Sequence, residues 1–98
     1  MFVRIVKMNF NPKFIPDFLT MFEEKKQLIR AFEGCQLLEL YQDKTNPETF
    51  FTYSYWDKEE SLEKYRNSAL FQSTWKQTKG YFNQKPHAWS VDKKVSLP

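Results

Sequence analysis

Apolar side chains recur along this chain with two different periods, and the changes of period divide it into six segments. Residues 2–10 are rich in β-branched and aromatic side chains in rough alternation, which predicts a strand. Asn11-Pro12 breaks it. Beyond the break Phe14, Phe18, Met21, Leu28 and Phe32 fall on one helical stripe, flanked by Ile15, Leu19, Phe22 and Ile29. Pro16 has no amide hydrogen and so belongs in the first turn of that helix. Lys25-Lys26 interrupts the stripe, where the aliphatic stems can cover apolar surface while the charges stay wet. Gly34 supplies a left-handed stop.

Residues 35–42 read as a second strand and residues 49–56 as a third, joined by turn chemistry over Asp43-Lys44-Thr45-Asn46-Pro47-Glu48. Asp57 followed by Glu60 forms a capping box and predicts a helix from Lys58. Asn67-Ser68 interrupts that helix. Ser68 caps a second segment that puts Phe71, Trp75 and Phe82 on one face, with Leu70 and Tyr81 beside them; Phe71 and Phe82 are expected in the core. Pro86 ends the segment, and residues 87–95 form the last strand. The order βαββαβ predicts an α+β domain with a ferredoxin-like antiparallel sheet, one domain spanning residues 1–98.

In that arrangement both helical segments cover the same face of the sheet. A half-exposed strand normally alternates apolar with polar, but the third strand carries Phe51, Tyr53 and Tyr55 on one side and Phe50, Thr52, Ser54 and Trp56 on the other. The second strand sets Leu37 and Tyr41 against Leu38 and Leu40. A bare patch of this kind exceeds the few hundred Å² that monomers tolerate. The expected cover is an identical sheet packed face to face, giving a homodimer with a barrel-like cavity between the sheets, a dimeric α+β barrel.

Composition sharpens this picture in three places. Ten Phe, five Tyr and three Trp in 98 residues call for a large interior or a surface meant to be covered. The net charge of +3 is interspersed, as in Glu23-Glu24-Lys25-Lys26, so no nucleic-acid-binding stripe is expected. RNA-recognition domains share the βαββαβ order, but Glu48-Thr49-Phe50 stands where they carry a basic-Gly-aromatic-Gly opening. Cys35 is alone, which excludes an intrachain disulfide and fits a reducing compartment. With no signal-peptide-like apolar stretch and no membrane-spanning run, the expected location is cytoplasmic.

Phe32-Glu33-Gly34-Cys35, the strand Phe51-Thr52-Tyr53-Ser54-Tyr55-Trp56, Leu62, Tyr65-Arg66, Ser68-Ala69-Leu70-Phe71 and the closing Ala88-Trp89-Ser90 together resemble the antibiotic biosynthesis monooxygenase (ABM) family, whose members are dimeric α+β barrels. The resemblance spans nearly the whole chain. It implies cofactor-independent chemistry without metal, haem or flavin: an electron-rich phenol or enol is deprotonated, and its anion reduces O2 directly. The haem-degrading branch of that family uses a first-strand Asn with a Trp and a haem-ligating His on the second helix. Aligned without gaps from Trp56, the last two positions fall on Tyr65 and Trp75, and Asn9 lies only near the first. An indole cannot ligate iron, so the resemblance points away from haem.

The candidate catalytic residues are Tyr65, Arg66 and His87. Tyr65 could donate a proton to a bound oxygenated ring or accept one from it, and Arg66 could stabilise the resulting anion; the plain alternative is a core Tyr with an exposed Arg or an Arg66–Glu63 ion pair. His87, the only group with an unperturbed pKa near neutrality, is expected at the rim. Trp56 and Trp75 would wall a flat-ligand pocket or simply fill the core, and Tyr53 and Asn9 complete the expected substrate-binding set. No spacing suits a metal site or a nucleophilic triad, and Cys35 reads as a small buried hydrophobe. Two functions follow: a cofactor-independent monooxygenase acting on a small hydrophobic phenol- or quinol-like compound, or a non-catalytic dimeric protein binding a small aromatic ligand.

Overall fold

The computed structural model describes residues 1–98. Strands β1 (Phe2–Asn9), β2 (Cys35–Gln42), β3 (Thr49–Trp56) and β4 (His87–Val91) form one antiparallel sheet in the order β2-β3-β1-β4. With helices α1 (Ile15–Arg30), α2 (Glu59–Arg66) and α3 (Ala69–Lys79) this is the ferredoxin-like α+β fold expected from the sequence. Phe10 leaves β1 to form an isolated bridge with Phe82, and a 3-10 turn at Pro12–Phe14 leads into α1. The Asn11 side chain accepts a hydrogen bond from the Lys13 amide there. Pro16 lies in the first turn of α1, where its missing donor costs nothing, and Asp17 and Arg30 complement the helix dipole at the two ends. No helix is long and apolar enough to cross a membrane.

Three boundaries differ from expectation. The last strand ends at Val91 instead of residue 95, because β4 pairs only with β1 and its register runs from Lys7↔His87 to Val3↔Val91, where β1 is nearly exhausted. The second helix begins at Glu59, with Lys58 as its N-cap and no side-chain cap bond of its own. The Asp57 carboxylate instead accepts from the Ser61 hydroxyl, the first of the interactions that hold its pKa below the usual range. The third concerns the turn after α1. The helix is capped at Ala31, and Gly34 sits beyond it with φ 91°, folded against Asp57 and Ser61; its carbonyl accepts from the Asp57 amide at 2.9 Å.

Strand alternation sends Phe2, Arg4, Val6 and Met8 of β1 and Phe50, Thr52, Ser54 and Trp56 of β3 toward the helices. The core they build is split in two. One cluster gathers Met8, Phe10, Phe18, Met21 and Phe50 at one end of the sheet, with the Phe10 and Phe18 rings 4.2 Å apart. The other joins Phe2, Cys35, Trp56 and Leu62 at the far end, packed by Phe32 and Tyr65. Cys35 is buried, as a small hydrophobe would be, and burial raises its thiol pKa.

Candidate functional site

Between the two core clusters the helices stand away from the sheet, leaving a cavity of about 460 Å³. Its floor is the middle of the helix-facing sheet, where Arg4, Val6, Thr52, Ser54 and Ala88 are too small or too polar to close the core. Phe18, Met21, Phe22 and Ile29 of α1 form one wall, and Tyr65, Phe71 and Trp75 with their neighbours on α2 and α3 form the other. Protein interiors normally pack to near-crystalline density, whereas ligand pockets occupy roughly 300–1,000 Å³ with mostly apolar walls and a few polar groups. This cavity is of the second kind.

The break between α2 and α3 shapes the aromatic wall. Asn67 caps α2, and Ser68 begins α3 by accepting from the Phe71 amide at 3.1 Å while its hydroxyl donates to the Tyr65 carbonyl at 2.6 Å. On one straight helix Tyr65 and Phe71 would point roughly 120° apart at 3.6 residues per turn. The break turns them together, rings 5.2 Å apart and edge to face. Tyr65 also stacks on Trp56 at 5.2 Å, and Phe71 stacks on Trp75 at 5.8 Å. Phe71, expected as core, is therefore half-buried cavity wall, one side of its ring on Trp75 and the other facing the open space.

Of the residues expected at the site, Tyr65, Arg66, Trp56 and Trp75 line the cavity together. Tyr53, Asn9 and His87 do not. The expectation set the cavity between two sheets; it lies between sheet and helices of one protomer, and alternation turns those three to the opposite face. There Tyr53 meets Tyr41 edge to face at 5.2 Å, His87 lies exposed over Trp89, and Asn9 is buried in bonds to Thr49 and Gln84. No group of three or more His, Cys, Asp or Glu is placed to hold a metal ion.

Burial pushes the Tyr65 phenol up to about 12, so near neutrality it is a hydrogen-bond donor and not a base. The Trp56 indole donates to Ser54 Oγ at 2.9 Å, fixing both side chains. Arg66 makes no ion pair with Glu63: the one salt bridge of the chain joins Lys26 to Glu23, and a Glu63 carboxylate oxygen accepts from Asn67 at 3.2 Å. Arg4 was missing from the expected set. It reaches into the cavity wall from β1, donates to Ser90 Oγ at 3.0 Å, and has its pKa lowered by burial and by Arg66. Its signal was available in sequence: it shares the parity of Phe2, Val6 and Met8, a charge in an apolar row.

A sequence profile of the antibiotic biosynthesis monooxygenase family matches residues 1–77. The chain belongs to that family. Its fold is similar to that of a conserved protein from Methanosarcina mazei Go1, at 22% identity and TM-score 0.89, covering 96% of this chain and 94% of that one. It is equally similar to a solved antibiotic biosynthesis monooxygenase at 18% identity and TM-score 0.88, with 100% of both chains covered. A protein from Mycobacterium tuberculosis superposes with TM-score 0.88 at 12% identity, over 99% of this chain and 98% of that one. No curated protein matches the chain. At these identities the structural likenesses establish the fold of this ABM-family chain, and the chemistry has to be argued from its own cavity.

Proposed function

We propose that this protein is a cofactor-independent monooxygenase that oxidises a small hydrophobic phenol- or quinol-like compound held between sheet and helices, and that it acts as a homodimer. The observation that carries the reading is the aromatic-walled cavity of about 460 Å³ inside an ABM-family fold. Trp56, Phe71 and Trp75 offer ring faces to a planar substrate. Tyr65 donates to an oxygen on that ring, and the Arg66 guanidinium stabilises the anion left by deprotonation. Glu63, the only carboxylate on the wall, is the proton acceptor. The anion then reduces O2; for an anthrone, the keto tautomer of such a phenol, the ring CH2 becomes C=O with one O2 consumed and one water released. Exclusion of bulk water keeps the anion from being reprotonated.

The homodimer reading rests on the helix-free face, where Ile5, Leu37, Phe51, Tyr53 and Tyr55 leave large apolar surface and Tyr41, Trp89 and Val91 are exposed outright. A second function, binding without turnover, is favoured by one observation: the only histidine lies away from the cavity, and no other side chain on its wall normally titrates near neutrality. Oxygen uptake separates the two. With a panel of anthrones and naphthohydroquinones, the enzyme reading expects uptake above the buffer rate, reduced on the order of 100-fold by Tyr65→Phe or Arg66→Gln. Quenching of tryptophan fluorescence by the same compounds with no protein-dependent uptake would leave the binding role.

A further inference from the structure

We propose that Arg4 and Arg66 form an anion-binding end of the cavity, so that its ligand is an aromatic compound bearing a carboxylate and not only neutral ring oxygens. The inference rests on the cavity being the ligand site and deepens that reading by naming the ligand's charge.

The helix-facing floor of the sheet carries one charged residue. Arg4 stands in register with Ser54 of β3 on one side and Ser90 of β4 on the other, giving a polar row Ser54–Arg4–Ser90 beside the row that holds Val6, Thr52 and Ala88. The last turn of α2 lies over this end of the cavity, bringing Arg66 to the same wall. The two guanidiniums are close enough that Arg66 works against protonation of Arg4, and partial burial adds to that cost. Neither has a carboxylate at salt-bridge distance. Glu63 shares the rim, with one carboxylate oxygen taken by the Asn67 side chain and the other left to serve as proton acceptor. Arg66 has a structural reason to be cationic, since it closes a helix C-terminus. Arg4 has none: an apolar residue would continue its row, and its one side-chain bond is to a neutral hydroxyl.

Two unpaired like charges facing one another, one of them the partly buried Arg4, are costly in the free protein. A carboxylate between them would relieve the repulsion and accept charge-assisted, bidentate hydrogen bonds. On the same cavity wall Thr74 Oγ1 is buried with no hydrogen-bond partner. It offers a second polar contact to the same ligand. A carboxylate held between Arg4 and Arg66, rings against Phe71 and Trp75, and the ring oxygen at Tyr65 describe a hydroxylated aromatic acid.

The test compares matched probes, 2-naphthoate and 2-anthroate against their neutral carboxamides, by tryptophan-fluorescence quenching and calorimetry. Each acid is expected to bind wild type about tenfold or more tightly than its amide, and to weaken as salt rises from about 50 to 500 mM while the amide does not. Arg4→Met and Arg66→Gln should each weaken the acid at least about fivefold more than the amide; Arg66 is exposed, so its variant keeps the test alive should Arg4→Met not fold. Equal affinity of acid and amide in wild type, or acid binding indifferent to both substitutions, overturns the anion end and leaves the cavity reading standing. Failure of acids and amides alike to bind at millimolar concentration sinks both.

Discussion

Replacing Gly34 with alanine would test how the turn after α1 is locked against the start of α2. At φ 91° an L-residue carries a torsional cost of about 1–2 kcal/mol. A Cβ at this position would also overlap Ser61 Cβ and Oγ and come within 2.7 Å of Asp57 Oδ1. Forcing extra atoms into packed surroundings costs about 1–3 kcal/mol, so the expected total is about 2–5 kcal/mol, a large part of the ~5–15 kcal/mol that holds a small domain together. Urea unfolding followed by circular dichroism is the assay, with the midpoint falling by roughly 1–3 M at an unchanged slope. Gly80→Ala is the internal control: Gly80 has φ −67°, and its Cβ would meet only Gln77 O at 3.4 Å. That change should be neutral or stabilising by up to about 1 kcal/mol. Adding Ser61→Gly to Gly34→Ala removes the overlap with Ser61 but neither the Asp57 approach nor the torsion, so the pair should be less destabilised than the sum of the two changes, by about 1 kcal/mol. A Gly34→Ala protein within about 0.5 kcal/mol of wild type would refute the account of this turn.

Two further outcomes are expected. Tyr65 holds its proton to about pH 12 in the folded chain, against about 10 for a free phenol. Between those values the unfolded chain deprotonates and the folded one does not, so stability present below pH 10 is lost as pH rises, by about 2–3 kcal/mol in full. The fall in urea midpoint between pH ~9 and ~11 should accordingly be smaller in Tyr65→Phe than in wild type, and equal falls would contradict the burial argument. For the helix-free face, sedimentation equilibrium at micromolar concentration should give the mass of two 11.9 kDa chains, and Tyr53→Glu should give one chain that still binds the naphthyl probes; a wild-type monomer would refute the sheet-to-sheet pairing.

How much of this was legible in sequence depended on whether the deciding physics was local. β2 and β3 match their expected bounds because turn chemistry at 43–48, the leucine-rich run before it and the aromatic run after it settle them locally. The Ser68 cap was legible for the same reason. The end of β4 was not, since it is set by where its only partner, β1, stops. The cavity between sheet and helices was not foreseen because aromatic side chains were found on both faces of β3, and nothing local says which face stays open once the helices settle. Small or polar residues at Thr52, Ser54, Arg4 and Ala88 decide that, and they meet only when four strands come into register. Tyr65 and Arg66 were found as a pair on one helix turn, whereas Arg4 joins them only across the fold.

The alternation that sends Arg4, Val6, Thr52 and Ser54 to the cavity sends Ile5, Lys7, Phe51 and Tyr53 to the helix-free side. Ligand choice and self-association are thus written on alternate letters of the same two strands. Point substitutions can retune one without disturbing the other. A single inserted or deleted residue within β1 or β3 would exchange the two sets at a stroke, so length variation in this protein should be confined to the exposed 43–48 hairpin loop and the tail beyond Val91.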